Sequence, residues 1–259
     1  MKGSPMRPFK FAALLLTLSS PVVAKVPPAP QPDIAAAVAA TTRTPDNVKL
    51  DEGRKPAELL RFFGLSRGMQ VLDLFGGNKY WAEIMAPTVG PKGHVTVWQP
   101  TQFLNDKRKA DFDEFAARQK NVSLISSPFE APKLPAKAFN FAIINLDYHD
   151  TYWESTERKI PRQDPNVWLK TLYAAMKPGG IVGVVDHVAL PNADTRATVE
   201  KLHRIDPDVI TADFKRAGFQ LVGSSDLLRN PADDHSLLVF DPKIRGHTDR
   251  AIFRFRKPR

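Results

Sequence analysis

The stretch Val71-Leu72-Asp73-Leu74-Phe75-Gly76-Gly77-Asn78-Lys79-Tyr80-Trp81 constrains this chain more than any other. A short apolar run closes on an acid, passes a glycine pair and enters a segment of helical character over residues 80–86. A buried parallel strand that turns directly into a helix reads this way, because glycines let the backbone come close to a ligand. At such a corner the free N–H groups of the new helix and its positive dipole end face the same side. An ordinary strand–turn–helix corner also suits a glycine pair, so the rest of the chain carries the distinction.

The pattern repeats. Apolar, β-branched runs predict strands over residues 70–74, 94–98, 122–125, 141–146 and 181–185, with helices over 80–86, 105–118 and 164–176 between them. Earlier helices are predicted over 33–40, with Asp33 as N-cap, and over 55–63, with Pro56 in the first turn and Gly64 at the end. A later helix opens at Asp206 and closes at Gly218, and closing strands follow over 219–222 and 236–240. The residues from Phe253 to Arg256 alternate apolar and basic and suggest one further strand. Alternating strands and helices predict an α/β fold, a mostly parallel central sheet with helices on both faces. Ligands of such sheets sit beyond the carboxyl ends of the strands. The chain's polar residues gather at those ends: Asp73 with Gly76, Gln99, Glu130, Asn145 to Asp150, and Asp186 with His187.

A chain of 259 residues, 42% hydrophobic and 25% charged, is long enough for one large globular domain and too apolar for general disorder. Its net charge of +9 is scattered rather than clustered, which argues against a nucleic-acid partner. The densest basic run, residues 254–259, reads as a solvated tail. Absence of cysteine excludes thiol chemistry, disulfides and thiolate metal sites. Lys2, Arg7 and Lys10 precede an apolar run over 11–18 and small residues at Val22 and Ala24, the pattern of a secretory signal peptide cut after Ala24. An uncleaved anchor is the alternative reading; no later segment is apolar enough to cross a bilayer. The expected organisation is a signal peptide over 1–24, a Pro/Ala-rich linker with an N-terminal helix over 25–48, and the main domain over 49–259. The expected location is periplasmic or extracellular.

The order of these elements resembles the class I S-adenosylmethionine-dependent methyltransferases. Val71 to Gly77 looks like the first motif of that class, and Leu172-Tyr173-Ala174-Ala175-Met176-Lys177-Pro178-Gly179-Gly180-Ile181 looks like its late helix–Pro-Gly-Gly–strand element. More narrowly, the chain resembles a bacterial family of predicted, often exported methyltransferases. That likeness rests on Asn145-Leu146-Asp147-Tyr148-His149-Asp150, Val185-Asp186-His187, Leu202-His203-Arg204-Ile205-Asp206 and Asp226-Leu227-Leu228-Arg229-Asn230-Pro231. It implies a Rossmann-like fold and S-adenosylmethionine as cofactor. Asp73, Gly76, Gly77 and Asn145 would hold the cofactor, Gln99 its ribose and Glu130 its adenine amino group. The turn departs from the family's three consecutive glycines at Asn78 and Lys79. Lys79 is expected to pay sterically for a positive φ and to bring its side chain towards the cofactor.

Methyl transfer to oxygen or nitrogen needs a proton acceptor. His149 is the expected base, because imidazole titrates near neutrality, with Asp150 or Asp186 orienting it. A packing role at the base of the loop is the alternative. Asp147 is expected to cap the turn, and Tyr80 and Trp81 to pack on the sheet. Histidine and carboxylate sets recur at 149–150, 186–187, 203–206 and 233–235, but without the tight spacing of a metal motif, so no metal site is expected. The expected function is methyl transfer to a small molecule. A catalytically silent exported binding protein on the same fold is the alternative.

Overall fold

The computed structural model describes Met1, Gly3, and residues 33–191 and 194–259. The expected signal segment and proline-rich spacer fall almost wholly outside these residues. All that follows concerns the unit Gln31–Arg259.

Four short helices come first: α1 (Ile34–Val38), α2 (Pro45–Val48), α3 (Asp51–Arg54) and α4 (Pro56–Phe63). The alternating part runs β1 (Gln70–Leu74), α5 (Tyr80–Val89), β2 (His94–Pro100), α6 (Asp106–Arg118), β3 (Val122–Ser127), β4 (Phe139–Asn145), α7 (Pro165–Ala175) and β5 (Met176–His187). It closes with α8 (Thr195–Leu202), α9 (Pro207–Arg216), β6 (Gln220–Ser225) and β7 (Arg250–Arg256). Helix starts follow local chemistry. Asp33, Asn105, Asp164 and Asp206 each accept a hydrogen bond from an otherwise unpaired first-turn amide. Gly64 ends α4 in the left-handed conformation.

The seven strands order as β3-β2-β1-β4-β5-β7-β6. All pairs through β5 are parallel, and β7 runs antiparallel between β5 and β6. Alternate residues serve opposite faces. Val71, Val95, Val97, Phe141, Ile143 and Ile252 pack with α1, α4 and α5, whereas Leu72, Leu74, Trp98, Ala142, Ile144 and Phe255 pack with α7 and α9. Burial on both faces explains why the central strands read as nearly continuous apolar runs.

Three expectations are corrected. Residues 236–240 form no strand; Val239 donates its amide to Leu202 O, and Phe240 projects into a cavity described below. An apolar run alone does not show whether a second strand is available to pair with it. Residues 254–259 are not a solvated tail. Residues 254–256 belong to β7, where Phe255 stacks on Phe214 at 4.2 Å, and just beyond it Lys257 Nζ donates to Tyr173 O and Met176 O. Finally, the segment preceding residue 49 contributes to the core: Ile34 and Ala37 are buried, and Glu83 of α5 accepts from Thr44 and Asn47.

Candidate functional site

A cavity of 550 Å³ opens beyond the carboxyl ends of β1 and β4. These strands are neighbours, but the chain leaves them in opposite directions, towards β2 on one side and β5 on the other. A crevice is formed where the order reverses, because the following helices cross to opposite faces. Asp73, Gly76, Asn145 and Asp147 form one wall. The cavity is also lined by Arg54 at the end of α3, by Phe240 in the segment before β7 and by Arg250, the first residue of β7.

Asp73 is fully buried, and neither of its carboxylate oxygens has a hydrogen-bond partner. Burial pushes its carboxyl up to about 8, an effect only partly offset by the nearby Arg54 charge and by the Ala82 amide, which approaches without completing a hydrogen bond. The carboxylate lies directly against Gly76: a Cβ there would stand 2.4 Å from Asp73 Cγ. Asp73 accepts no hydrogen bond from the turn amides. Gly77 instead donates its amide to Gln99 Oε1 at 2.7 Å, and a Cβ on Gly77 would come within 2.4 Å of that oxygen. Neither glycine has a positive φ; the residues that do are Phe75 (φ 60°) and Lys79 (φ 66°). Close approach, not left-handed backbone, is what requires Gly76 and Gly77.

Arg54 lies over the Tyr80 ring at 4.3 Å and, among the described residues, donates no hydrogen bond. Arg250 is buried and tied to backbone: its guanidinium donates to Gly53 O at 2.5 Å and Gly246 O at 2.6 Å. Burial, with the like charge of Arg54, brings its pKa down to about 10, so it stays cationic at neutral pH. The cavity thus gathers two carboxyl groups, Asp73 and Asp147, and the guanidinium groups of Arg54 and Arg250, with Arg54 close enough to act on both carboxyls. Asp147 lines it rather than merely capping a turn, and desolvation with the like charge of Asp150 holds its carboxyl well above the ordinary range. Trp81, expected to pack on the sheet, also lines the cavity, while Tyr80 is buried with its hydroxyl on Asp51.

Several expected site residues lie elsewhere. The acceptor oxygen of Gln99 is committed to Gly77, and Gln99 is not part of the cavity wall. Glu130 accepts from Gln102 Nε2 at 2.9 Å and borders a separate depression with Glu154 and Arg162. Between these two positions Phe75 packs edge-on against Trp98 and Phe129. Lys79 turns away from the cavity and donates to Asp111 O in α6, because its left-handed backbone at the N-cap of α5 aims the side chain outward.

His149, Asp150 and Asp186 do come together, behind the cavity wall. His149 donates its backbone N–H to Asp186 Oδ2 at 2.8 Å, and its Nδ1 meets Asp186 Oδ1 at 2.7 Å. Its Nε2 lies 3.2 Å from Asp150 Oδ1 and 3.3 Å from His203 Nδ1. Burial opposes a charge on His149, but Asp186 and Asp150 outweigh it and hold the imidazole well above its ordinary range. Burial likewise favours a neutral Asp150, and His149 with His203 overcomes it, so that carboxyl sits well below its usual range. With both ring nitrogens engaged, His149 presents no free lone pair to the cavity. The orientation by Asp186 is present; the base role expected of His149 lacks a path to a ligand in this arrangement. His187, by contrast, lines the cavity and is kept neutral by burial and by the positive charges of His149 and Arg250.

Sequence reading missed Arg54 and Arg250 as site components, and it set His203 beside Asp206 rather than beside His149 and Asp150. Arg54 carries no local signal, since a short polar helix precedes it. Arg250 was hidden by the alternation of β7, which explains an arginine without reference to a ligand.

No protein-family model matches the chain. Over 130 residues it is 27% identical to a demethylmenaquinone methyltransferase of Listeria monocytogenes serotype 4a, a match covering 50% of this chain and 49% of that protein. The chain therefore spans about half the length of the curated relatives it matches. Among solved structures, a SAM-dependent methyltransferase from Aquifex aeolicus superposes with a TM-score of 0.55 at 16% identity, covering 87% of this chain and 98% of that one. The [4+2]-cyclase SpnF superposes with a TM-score of 0.58 at 14% identity, covering 87% and 91%. These likenesses show the fold: it is the Rossmann-like fold of class I methyltransferases.

Proposed function

We propose that the protein transfers a methyl group from S-adenosylmethionine to a small-molecule acceptor, with the cofactor's methionine end in the cavity between β1 and β4. The observation that carries this reading is the buried, unpartnered carboxyl of Asp73 at the glycine turn, in a cavity also lined by Arg54 and Arg250. An orphaned carboxyl in one cavity with guanidinium groups suits a ligand with an ammonium and a carboxylate on one carbon. On binding, Asp73 would give up the proton it retains below about pH 8 and take the ammonium, Arg54 would take the carboxylate, and Asn145 would add a neutral amide at the end of the neighbouring strand β4. The volume lies within the roughly 300–1,000 Å³ usual for small-molecule sites. The partial likeness to demethylmenaquinone methyltransferases supports the same chemistry.

Bound there, the cofactor supplies an electrophilic methyl group on a sulfonium centre. The chain's own task is to hold an acceptor in line and exclude water, for which Trp81, Val239 and Phe240 provide apolar wall. Where the acceptor loses a proton, Asp147 and His187 are placed to receive it, since both line the cavity and His149 does not.

A second reading keeps the site and drops the chemistry: a binding protein for a smaller zwitterionic ligand. It is favoured by the Gln99–Gly77 hydrogen bond and by the position of Glu130, which leave the expected nucleoside contacts outside the cavity. Calorimetric titration with S-adenosylmethionine and S-adenosylhomocysteine separates the two. Saturable binding of both, weakened about 10-fold or more by Asp73→Asn, is expected for the methyltransferase. A folded sample giving no heat with either ligand at millimolar concentration overturns it.

The proposed setting is outside the cytoplasm, among exported bacterial methyltransferases. It is supported by the basic, apolar and small-residue succession ending at Ala24 and by the four family-like segments. Among the described residues no helix is long and apolar enough to cross a membrane. N-terminal sequencing of protein from fractionated cells is expected to start at Lys25 in the exported fraction; a chain starting at Met1 in the cytosol overturns this placement.

A further inference from the structure

The cluster behind the cavity has a geometry that pairing alone does not account for. His149 Nε2, Asp150 Oδ1 and His203 Nδ1 form a triangle with sides of 3.2, 3.3 and 3.4 Å. Asp150 Oδ1 is buried against the two imidazole nitrogens, but neither contact completes a hydrogen bond of good geometry. Three donor atoms so arranged match one face of a tetrahedron around an ion such as zinc. With ligand bonds of about 2.0–2.1 Å, the edges of that tetrahedron are about 3.3–3.4 Å.

The surroundings reinforce the match. Asp186 Oδ1 holds His149 Nδ1 at 2.7 Å, which leaves Nε2 as the coordinating atom, and a carboxylate behind a ligating histidine is the usual means of orienting the ring. Asp186 is itself fixed by the backbone amides of His149 and His187. His203 takes a left-handed backbone (φ 51°) at the end of α8, and its ring is held between Trp153 and Phe240. A non-glycine residue kept in this strained conformation, with its imidazole aimed at two other donors, is costly unless the placement is used. Carboxylates on two sides of His149 favour a dication for the same electrostatic reason that they favour an imidazolium.

We propose that His149, Asp150 and His203 form a mononuclear site for a zinc-class divalent transition ion, with Asp186 as the orienting carboxylate. Two imidazole nitrogens and one carboxylate oxygen suit zinc, cobalt or nickel over magnesium or calcium, which require more oxygen ligands. Three protein ligands leave a fourth position for water or a ligand oxygen, the arrangement of a reactive centre rather than of a closed structural one. The side chains of Asp150 and His203 each retain 16% exposure, so the cluster is reachable. Phe240, which packs on His203, also lines the main cavity, so the site adjoins it. The spacing of the three ligands in sequence, 149, 150 and 203, matches no compact motif, and for this reason a metal was not expected. The inference does not depend on methyl transfer.

The test uses the purified, tag-free full chain, stripped with a chelator and titrated with zinc by calorimetry and with cobalt(II) by visible absorption. Binding of one equivalent is expected, with the d–d bands of a low-coordinate cobalt(II) ion. His203→Asn and Asp150→Asn should each abolish saturable binding, while Asp186→Asn should weaken it about 10- to 100-fold. Asparagine at 203 suits the left-handed backbone, so the fold should survive; circular dichroism and the melting temperature without metal verify this. Zinc should raise the melting temperature of the wild type and leave those of His203→Asn and Asp150→Asn unchanged. A folded wild-type protein that binds neither ion, or binding that persists undiminished in His203→Asn and Asp150→Asn, overturns the proposal.

Discussion

Gln99 Oε1 accepts the amide hydrogen of Gly77 at 2.7 Å, so the end of β2 is latched onto the turn that follows β1. The bond orders the glycine turn from within the protein and uses the oxygen that a ribose hydroxyl would otherwise meet. Gly77→Ala would drive a Cβ to 2.4 Å from that oxygen. The substitution is expected to cost about 1–3 kcal/mol, as overpacking does. Gln99→Ala in the same chain should recover part of the loss, with a coupling energy of about 1 kcal/mol in a double-mutant cycle by denaturant unfolding. Strict additivity would show that the close approach is not what constrains Gly77.

Asp73 links stability to pH. Burial pushes its folded-state carboxyl up to about 8, above the ordinary aspartate value of 3.8. Between those values the folded state retains a proton that the unfolded state has released, so stability falls as pH rises from about 4 to 8 and levels off beyond. Asp73→Asn removes this penalty. The ligand-free variant should gain about 1–3 kcal/mol at pH 8 and little at pH 4, while losing cofactor affinity. Melting curves across that range check the sign; a gain that is independent of pH would exclude a buried, unpaired carboxyl.

Lys79→Gly relieves a left-handed backbone but removes a side chain that points into α6 rather than into the cavity. The expected result is roughly 0.5–1 kcal/mol of added stability with unchanged affinity for S-adenosylmethionine. A tighter complex would place the lysine side chain nearer the ligand than its bond to Asp111 O allows.

Asp233, suspected in sequence as part of a fourth histidine and carboxylate set, pairs both oxygens with fully buried Arg204 at 2.8 and 3.0 Å. It also accepts the Asp249 amide at 2.7 Å. Asp233→Ala leaves a buried guanidinium without its partner and should cost about 3–5 kcal/mol in chemical denaturation. A loss below about 1 kcal/mol would mean that water or Leu237 O and Val188 O suffice for Arg204.

The strand–helix alternation was legible because its signals are local: apolar runs of strand length, capping residues at Asn105 and Asp164, and glycine at the end of α4. β7 was legible only as an alternation. Its place inside the sheet, antiparallel between β5 and β6, depends on contacts with residues far away in the chain. The run at 236–240 misled for the converse reason, since apolar composition states that a segment is to be buried and not what it will pair with.

The same division applies to the site. Residue order alone determined the fold, the crevice at the ends of β1 and β4, and the presence there of Asp73, Gly76 and Asn145. Each of these follows from a strand running into a turn, a relationship between neighbours in the chain. Only the tertiary structure decided that Arg54 and Arg250 line one cavity with Asp73, that Gln99 turns inward to Gly77, and that His203 meets His149 and Asp150 from more than 50 residues beyond. Those outcomes depend on side-chain directions and on long-range packing. A sequence records the donor and acceptor groups but not the distances between them.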